Sequence, residues 1–189
     1  MNRLAILGGT GLGAAILDEA VDYDVKVYDI PDFNIYVKNS MMVLGRVLQR
    51  TRPDVFVFNA SGPNTENHGS AKINALKTLW PFVKVLDISI IIISSAGAWN
   101  SLSIDDPDIR IYRKINFDLS NVALNICRKS AMDEHQARTI LFEPAIYDAS
   151  VAKKFNSTYL TNKEMWDMIK LGIDAKLPFI RLGCQGNNV

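Results

Sequence analysis

A glycine-rich turn near the start of the chain has the residue types and spacing that bind phosphate groups. Residues 8–14, here called the glycine turn, read Gly-Gly-Thr-Gly-Leu-Gly-Ala and stand between a short apolar run and a helical pattern. Glycines allow positive φ angles and let a pyrophosphate approach the backbone, while the following helix presents free N–H groups and its positive dipole end. A glycine motif alone is weak evidence, but its position between a strand and a helix strengthens it. The pattern predicts a dinucleotide site whose binding residues are Gly8, Gly9, Thr10, Gly11 and Leu12.

Asp29 ends the second apolar run and is a candidate partner of the glycine turn. Its carboxylate is expected to accept hydrogen bonds from the ribose hydroxyls of adenosine and to repel a 2′-phosphate. The expected cofactor is therefore NAD, with NADP as the alternative. A tight turn without a ligand, followed by a chance aspartate, is the competing interpretation.

These residues need a scaffold, and the apolar patterns predict one. Strands alternate with helices from end to end, which predicts an α/β fold with a Rossmann-like, doubly wound parallel sheet in three α/β/α layers. Predicted strands cover residues 3–7, 24–29, 54–59, 88–93, 139–142 and 179–181, with a brief additional strand at 33–37. Predicted helices cover residues 12–19, 40–50, 70–86 with a bend at Pro81, 115–130 and 162–171. No linker is visible, so residues 1–189 are expected to form one domain.

The composition argues against several other classes of protein. The chain is 48% hydrophobic and 22% charged with a formal net charge of +1, so neither nucleic acid nor an acidic membrane is the expected partner. Its two cysteines and two histidines lack the spacing of a metal site, so no metal is expected. The sequence begins with a strand pattern without a signal-peptide layout, and its longest apolar stretch is too short to span a bilayer. A cytoplasmic location is therefore expected.

The sequence resembles the short-chain dehydrogenase/reductase family at two further segments and at one asparagine in a predicted helix. Its N-terminal half is most similar to the sugar-nucleotide branch of that family. Residues 32–35, Asp-Phe-Asn-Ile, look like the family's acidic–aliphatic pair beside the adenine. Residues 52–62 end in Asn-Ala-Ser-Gly, like the strand end that runs along the cofactor. The resemblance implies that Asn74 supports the active site. It also adds six residues to the expected cofactor site: Asn34, Ile35, Asn59, Ala60, Ser61 and Gly62.

The family's catalytic residues fall on positions where this chain departs from the family pattern. Ser95, at the end of the most apolar strand, matches the catalytic serine or threonine, although a hydroxyl that only caps the strand end is the competing interpretation. The family's Tyr-x-x-x-Lys pair, which acts as acid or base on the substrate, matches Phe117 and Asn121, because Ala-Leu-Asn follows in both. Phenylalanine has no proton to give, and asparagine carries no charge. In another register Tyr112 takes the tyrosine position, but Asn116 then stands where lysine belongs.

The C-terminal part completes the resemblance with a shorter substrate region. Pro144, in the sequence Phe-Glu-Pro-Ala, is similar to the family's Ser-Pro-Gly, which contacts the nicotinamide. The segment in which relatives build a substrate lid is brief, at residues 146–161, so no large substrate domain is expected.

Two functions are compatible with these residues. The first is an NAD(P)-dependent oxidoreductase with altered acid–base residues, acting on a small carbonyl, hydroxyl or sugar-nucleotide substrate, in which Ser95, Tyr112 or a water replaces the missing tyrosine. The second is a catalytically silent dinucleotide-binding sensor or regulatory protein. The expected partners are small molecules, and the resemblance is compatible with a homodimer or homotetramer formed through the helices at 70–86 and 115–130.

Overall fold

A computed structural model describes residues 1–86, 88–95, 107–130, 138–144, 160–175 and 179–183. These residues contain a sheet of six parallel strands in the order β2-β1-β3-β4-β5-β6. The strands are β1 (Asn2–Leu7), β2 (Tyr23–Tyr28), β3 (Val55–Phe58), β4 (Ser89–Ile93), β5 (Thr139–Glu143) and β6 (Phe179–Gly183). The order reverses between β1 and β3, so the carboxyl ends of these two strands flank a crevice where such sheets bind ligands. The predicted Rossmann-like fold is confirmed.

Five helices connect the described strands, close to the predicted positions. They are α1 (Leu12–Glu19), α2 (Lys38–Thr51), α3 (Glu66–Val85), α4 (Pro107–Ser130) and α5 (Asn162–Asp174). The third helix begins earlier than predicted because Thr65 caps it, its side chain accepting a hydrogen bond from the backbone N–H of His68. The fourth also begins earlier, at a proline, a residue that suits the first helical position. Pro81 lies inside α3 without ending it.

The brief strand predicted at residues 33–37 is wrong. Asn34 instead organises a turn, because its side-chain oxygen accepts from the N–H of Tyr36 and its carbonyl accepts from the N–H of Val37. The N–H of Asn34 donates to the hydroxyl of Ser40 at the start of α2. A short apolar run therefore forms a turn here, since local side-chain hydrogen bonds replace a strand partner.

The sheet is covered on both faces by apolar side chains from different helices. Ala5 and Leu7 of β1 belong to one buried cluster, which also takes in the inner faces of α2, α3 and α4. Leu4 and Ile6 belong to a second buried cluster with α1 and α5. This alternation follows from strand geometry, because successive side chains point to opposite faces of the sheet. The layers position the carboxyl ends of the strands along one edge.

Several features noted in the sequence lie outside the described residues. They include residues 146–159 of the predicted lid segment, His135 and Cys184. Among the helices that the structure describes, none combines the length and the hydropathy that a membrane span requires.

Candidate functional site

The glycine turn follows β1 at the crevice and depends on glycine for its backbone shape. Gly8 has a φ of +91° and Gly11 a φ of +56°, in the region that L side chains rarely adopt. A Cβ at Gly8 would overlap the carbonyl of Asn59, and a Cβ at Gly13 would overlap the carbonyl of Gly8. The turn therefore packs against the end of β3 with no room for side chains at two positions.

Asn59 fastens the turn to the end of β3. Its side-chain Nδ2 donates to the carbonyl of Gly8 at 2.9 Å and to the carbonyl of Thr10 at 3.1 Å. Its own backbone N–H donates to the carbonyl of Leu7. A second link joins the hydroxyls of Thr10 and Ser61, whose oxygens are 2.9 Å apart. The structure thus brings two sequence-predicted segments, the glycine turn and residues 59–62, into direct contact.

The N-terminus of α1 opens next to these segments, and its first turn contains no acidic residue. Gly11 is its N-cap and makes no side-chain cap hydrogen bond. The first N–H groups of a helix have no partner within the helix, and with the helix dipole they attract anions. The arrangement can bind a phosphate oxygen.

Asp29 lies beside the glycine turn and already stabilises it. Its Oδ2 accepts from the N–H of Gly9 and its Oδ1 from the N–H of Ile30, both at 2.8 Å. A carboxylate oxygen can accept more than one hydrogen bond, so both oxygens keep capacity for hydroxyl donors.

The predicted adenine side contains a buried histidine that the sequence analysis did not assign. His68 Nδ1 is 2.8 Å from the hydroxyl of Tyr36, and its Nε2 is 3.3 Å from the carbonyl of Ala60. Gly62 packs directly against the histidine ring. Asn34 and Ile35 stand in the turn that precedes Tyr36. The signal in the sequence was Thr65, three residues before His68, a spacing typical of a helix cap.

Lys72 lies one helical turn after His68 and is also buried, with 9% of its surface exposed. Burial lowers the pKa of Lys72 to about 8, since desolvation disfavours the charged amine. The pKa of His68 is lowered as well, first by burial and then by the positive charge of Lys72. Two basic side chains therefore lie inside the structure near the end of β3.

A second group of polar side chains, buried except for Arg181, joins the carboxyl ends of β4 and β5 to α4 and β6. The hydroxyl of Ser94 is 2.8 Å from the hydroxyl of Ser120, which donates to Glu143 Oε1 at 2.6 Å. Glu143 Oε2 accepts from Nε of Arg181 at 2.6 Å, and Ser94 also contacts the carbonyl of Asn116. We call Ser94, Ser120, Glu143 and Arg181 the polar chain. Sequence reasoning missed it, because its members come from four separate segments.

The remaining sequence-predicted residues fall into two groups, one at the strand ends beside the polar chain and one on α4. Ser95 is buried directly after Ser94, and Pro144 is buried directly after Glu143, at the ends of adjacent strands. Phe117 is exposed on α4, and Asn121 stands one turn later on the same helix. The other register's residue, Tyr112, is also exposed, and its carbonyl accepts from the side chain of Asn116.

Asn74 forms no hydrogen bond with the polar chain or the glycine turn among the described residues. It is exposed on α3, where its carbonyl accepts from the Thr78 hydroxyl. It lines a groove of about 690 Å³ between α2 and α3. The described residues contain no group of three or more histidine, cysteine or acidic side chains placed to hold a metal ion.

Comparison with known proteins supports the fold. The chain is similar to a short-chain dehydrogenase from Streptomyces avermitilis, with a TM-score of 0.70, 16% identity and coverage of 98% of this chain and 89% of that one. It is also similar to an alcohol dehydrogenase from Thermococcus sibiricus complexed with 5-hydroxy-NADP, with a TM-score of 0.72, 14% identity and coverage of 99% of this chain and 97% of that one. A third similar structure is dTDP-4-dehydrorhamnose reductase from Bacillus anthracis in complex with NADP, with a TM-score of 0.69, 12% identity and coverage of 100% of this chain and 76% of that one. No family model and no curated protein matches the sequence. At these identities the likeness shows the fold alone.

Proposed function

We propose that the protein binds NAD(H) or NADP(H) at the glycine turn and acts as an oxidoreductase of the short-chain dehydrogenase/reductase type. The observation that carries the proposal is the contact of the Asn59 side chain with two carbonyls of the turn. That contact fixes the turn in the crevice between β1 and β3, at the N-terminus of α1. Two similar structures, one from Thermococcus sibiricus complexed with 5-hydroxy-NADP and one from Bacillus anthracis in complex with NADP, support the choice of ligand class.

The residues present fit a dinucleotide. The glycine turn forms a cradle in which a Cβ at Gly8 or Gly13 would collide with its neighbours. The N–H groups of α1 and the hydroxyl of Thr10 would bind the pyrophosphate. Asp29 would accept hydrogen bonds from the adenosine ribose with the lone pairs that Gly9 and Ile30 leave free. A 2′-phosphate would meet that carboxylate, which favours NAD.

The nicotinamide supplies the hydride chemistry when it is bound. The chain's own contribution is to orient the ring near the ends of β4 and β5, where Ser95 and Pro144 stand. Phe117 and Asn121 offer neither a proton nor a charge there. Ser95, Tyr112 or a water is left to hold the proton at the substrate oxygen. Positioned acid–base catalysis contributes about 10²- to 10⁴-fold, so this replacement makes a slow enzyme. The substrate class is a small carbonyl or hydroxyl compound, with sugar nucleotides included.

Calorimetric titration of the protein with NAD, NADH, NADP and NADPH tests the proposal. We expect binding of one pair, with NADH tighter than NADPH because of Asp29. Absence of heat with all four compounds would refute a dinucleotide function.

A catalytically silent sensor is the second candidate, and the Phe117 and Asn121 pair is the observation that favours it. The double variant Phe117→Tyr with Asn121→Lys restores the family pair on the same face of α4. If the protein is a silent relative, the double variant should gain hydride transfer in a panel of carbonyl substrates. The matched control adds Tyr112→Phe, which must not remove that gain. A double variant that binds NADH but gains no turnover would argue against simple loss of the pair.

A further inference from the structure

Lys72 is a buried cation without a counter-charge in the part of the chain that the structure describes. Its side chain keeps only 9% of its surface, and no described residue forms a hydrogen bond or ion pair with it. Long charged side chains are almost never buried this far unless a partner accompanies them. Among the described residues, the position therefore lacks the anion that such a burial requires.

His68 is not a hydrogen-bond partner of Lys72, because both of its ring nitrogens are bonded to other groups. The carbonyl of Ala60 can only accept, so Nε2 carries the proton. Nδ1 then accepts from the hydroxyl of Tyr36. This neutral tautomer agrees with the lowered pKa of His68, to which the charge of Lys72 contributes. Of the two basic side chains, His68 and Lys72, it is therefore Lys72 that carries the positive charge.

Helix geometry favours a Lys72 side chain that extends toward the carboxyl edge of the sheet. Long side chains on a helix lean toward the helix N-terminus, and α3 begins at that edge. The first turns of α3 contact Gly62 through His68 and Ile115 of α4 through Gly69. The acidic residues Asp118 and Glu66 interact with Lys114 on the exposed side. Asp118 forms an ion pair with Lys114, and the charge of Glu66 helps to raise the pKa of that lysine.

We propose that Lys72, at the positive end of α3, binds an anionic group of the substrate, a carboxylate or a phosphate, next to the proposed dinucleotide site. The helix dipole adds to the attraction, because Lys72 lies within two turns of the N-terminus of α3. The assignment of the anion to a substrate rests on the proposed function, whereas the anion site itself does not. An anion-binding Lys72 would restrict the substrates of the proposed oxidoreductase to acids and phosphorylated compounds that carry a carbonyl or hydroxyl group.

The probes are inorganic phosphate and succinate, added separately to protein labelled with ¹³C-lysine. The titration of Lys72 is followed by NMR and assigned from the spectrum of Lys72→Met. A bound anion favours the protonated amine, so the pKa of Lys72 should rise from about 8 toward the ordinary lysine range with at least one probe. The same probe should raise the Tm of the wild type and not that of Lys72→Met.

Lys77→Met is the matched control, since Lys77 is exposed on the same helix. It should keep the probe-dependent rise in Tm. A pKa of Lys72 that neither probe moves, or an equal rise in Tm in Lys72→Met, would overturn the anion site.

Repeating the titration with NADH present separates this inference from the proposed function. Simultaneous binding of probe and NADH supports a substrate subsite, and competition between them overturns it in favour of a cofactor contact. If NADH does not bind at all, the proposed function fails, while a probe-dependent pKa of Lys72 still establishes the anion site.

Discussion

Replacing Lys72 by methionine should stabilise the protein at neutral pH. Methionine keeps an unbranched apolar stem in the same space but carries no charge. A pKa lowered from 10.5 to about 8 corresponds to about 3 kcal/mol of differential free energy, because each pH unit of difference represents about 1.4 kcal/mol. Lys72 is nine-tenths buried, so solvent screening reduces this figure little. We expect Lys72→Met to gain about 3 kcal/mol in free energy of unfolding at pH 7.

The sign of the pH dependence follows from which state binds more protons. Between about pH 8 and 10.5 the unfolded chain holds the lysine proton and the folded chain does not, so wild-type stability rises with pH through this window. Below about pH 8 the full penalty of burying the charged amine is present. The advantage of Lys72→Met should therefore be largest at neutral pH and shrink as pH rises toward 10.5.

Urea denaturation of the wild type and of Lys72→Met at several pH values measures this difference. The buffers must lack phosphate and carboxylates, since a bound anion would stabilise the charged lysine. Lys77→Met should match the wild type within about 0.5 kcal/mol at every pH, as exposed substitutions usually do. A Lys72→Met variant that is no more stable at pH 7, or whose advantage does not change with pH, would refute the reasoning.

Two further variants test the polar contacts of the site. Asn59→Ala removes two hydrogen bonds to the carbonyls of Gly8 and Thr10, each worth about 1 kcal/mol, so calorimetry should show a Tm lower by about 4–8 °C. Asn59→Asp should lose at least as much, because an acceptor then faces both carbonyls, and an unchanged Tm in either variant contradicts this account. Glu143→Gln removes the charge that pairs with Arg181 but keeps an amide that can accept from Arg181 Nε and donate to the Ser120 hydroxyl, so it should cost about 1 kcal/mol in urea denaturation. Arg181→Gln should cost more, because it leaves the buried Glu143 carboxylate without the Arg181 cation, whereas Arg181 is 42% exposed and is solvated by water when its partner is lost. The reverse order would show that the buried carboxylate is not the sensitive member.

The fold was predictable because its signals are local and repeated. Continuous apolar runs such as residues 55–58 indicate strands covered on both faces, and residues 12–19 have helical spacing. The error at residues 33–37 arose where side-chain hydrogen bonds of Asn34 decide the backbone, which periodicity does not detect. The start of α4 was missed, although Pro107 is a residue that suits the first position of a helix.

The candidate site was predictable only in part, for a similar reason. The glycine turn and Asn59 carry their function in local sequence, and the structure brings them together. Glu143 and Lys72 instead derive their properties from burial. Glu143 has hydrogen-bond partners on distant segments, and Lys72 has none among the described residues. Sequence spacing alone does not reveal such a contact, because the carboxyl ends of parallel strands meet only after the sheet has formed.

The most direct test of the central claim is a comparison of NADH titrations of the wild type, Thr10→Glu and Thr10→Gln. Thr10 is exposed just before α1, and both variants lose its exposed hydrogen bond to Ser61, so their Tm values should be similar and close to that of the wild type, since an acidic side chain is compatible with the helix dipole. A carboxylate there would repel the pyrophosphate, whereas glutamine of the same size would not. We predict that the wild type binds NADH, that Thr10→Gln retains most of the affinity, and that Thr10→Glu loses binding while it stays folded. Equal affinity in all three proteins, or no binding by the wild type, would contradict a dinucleotide site at the glycine turn.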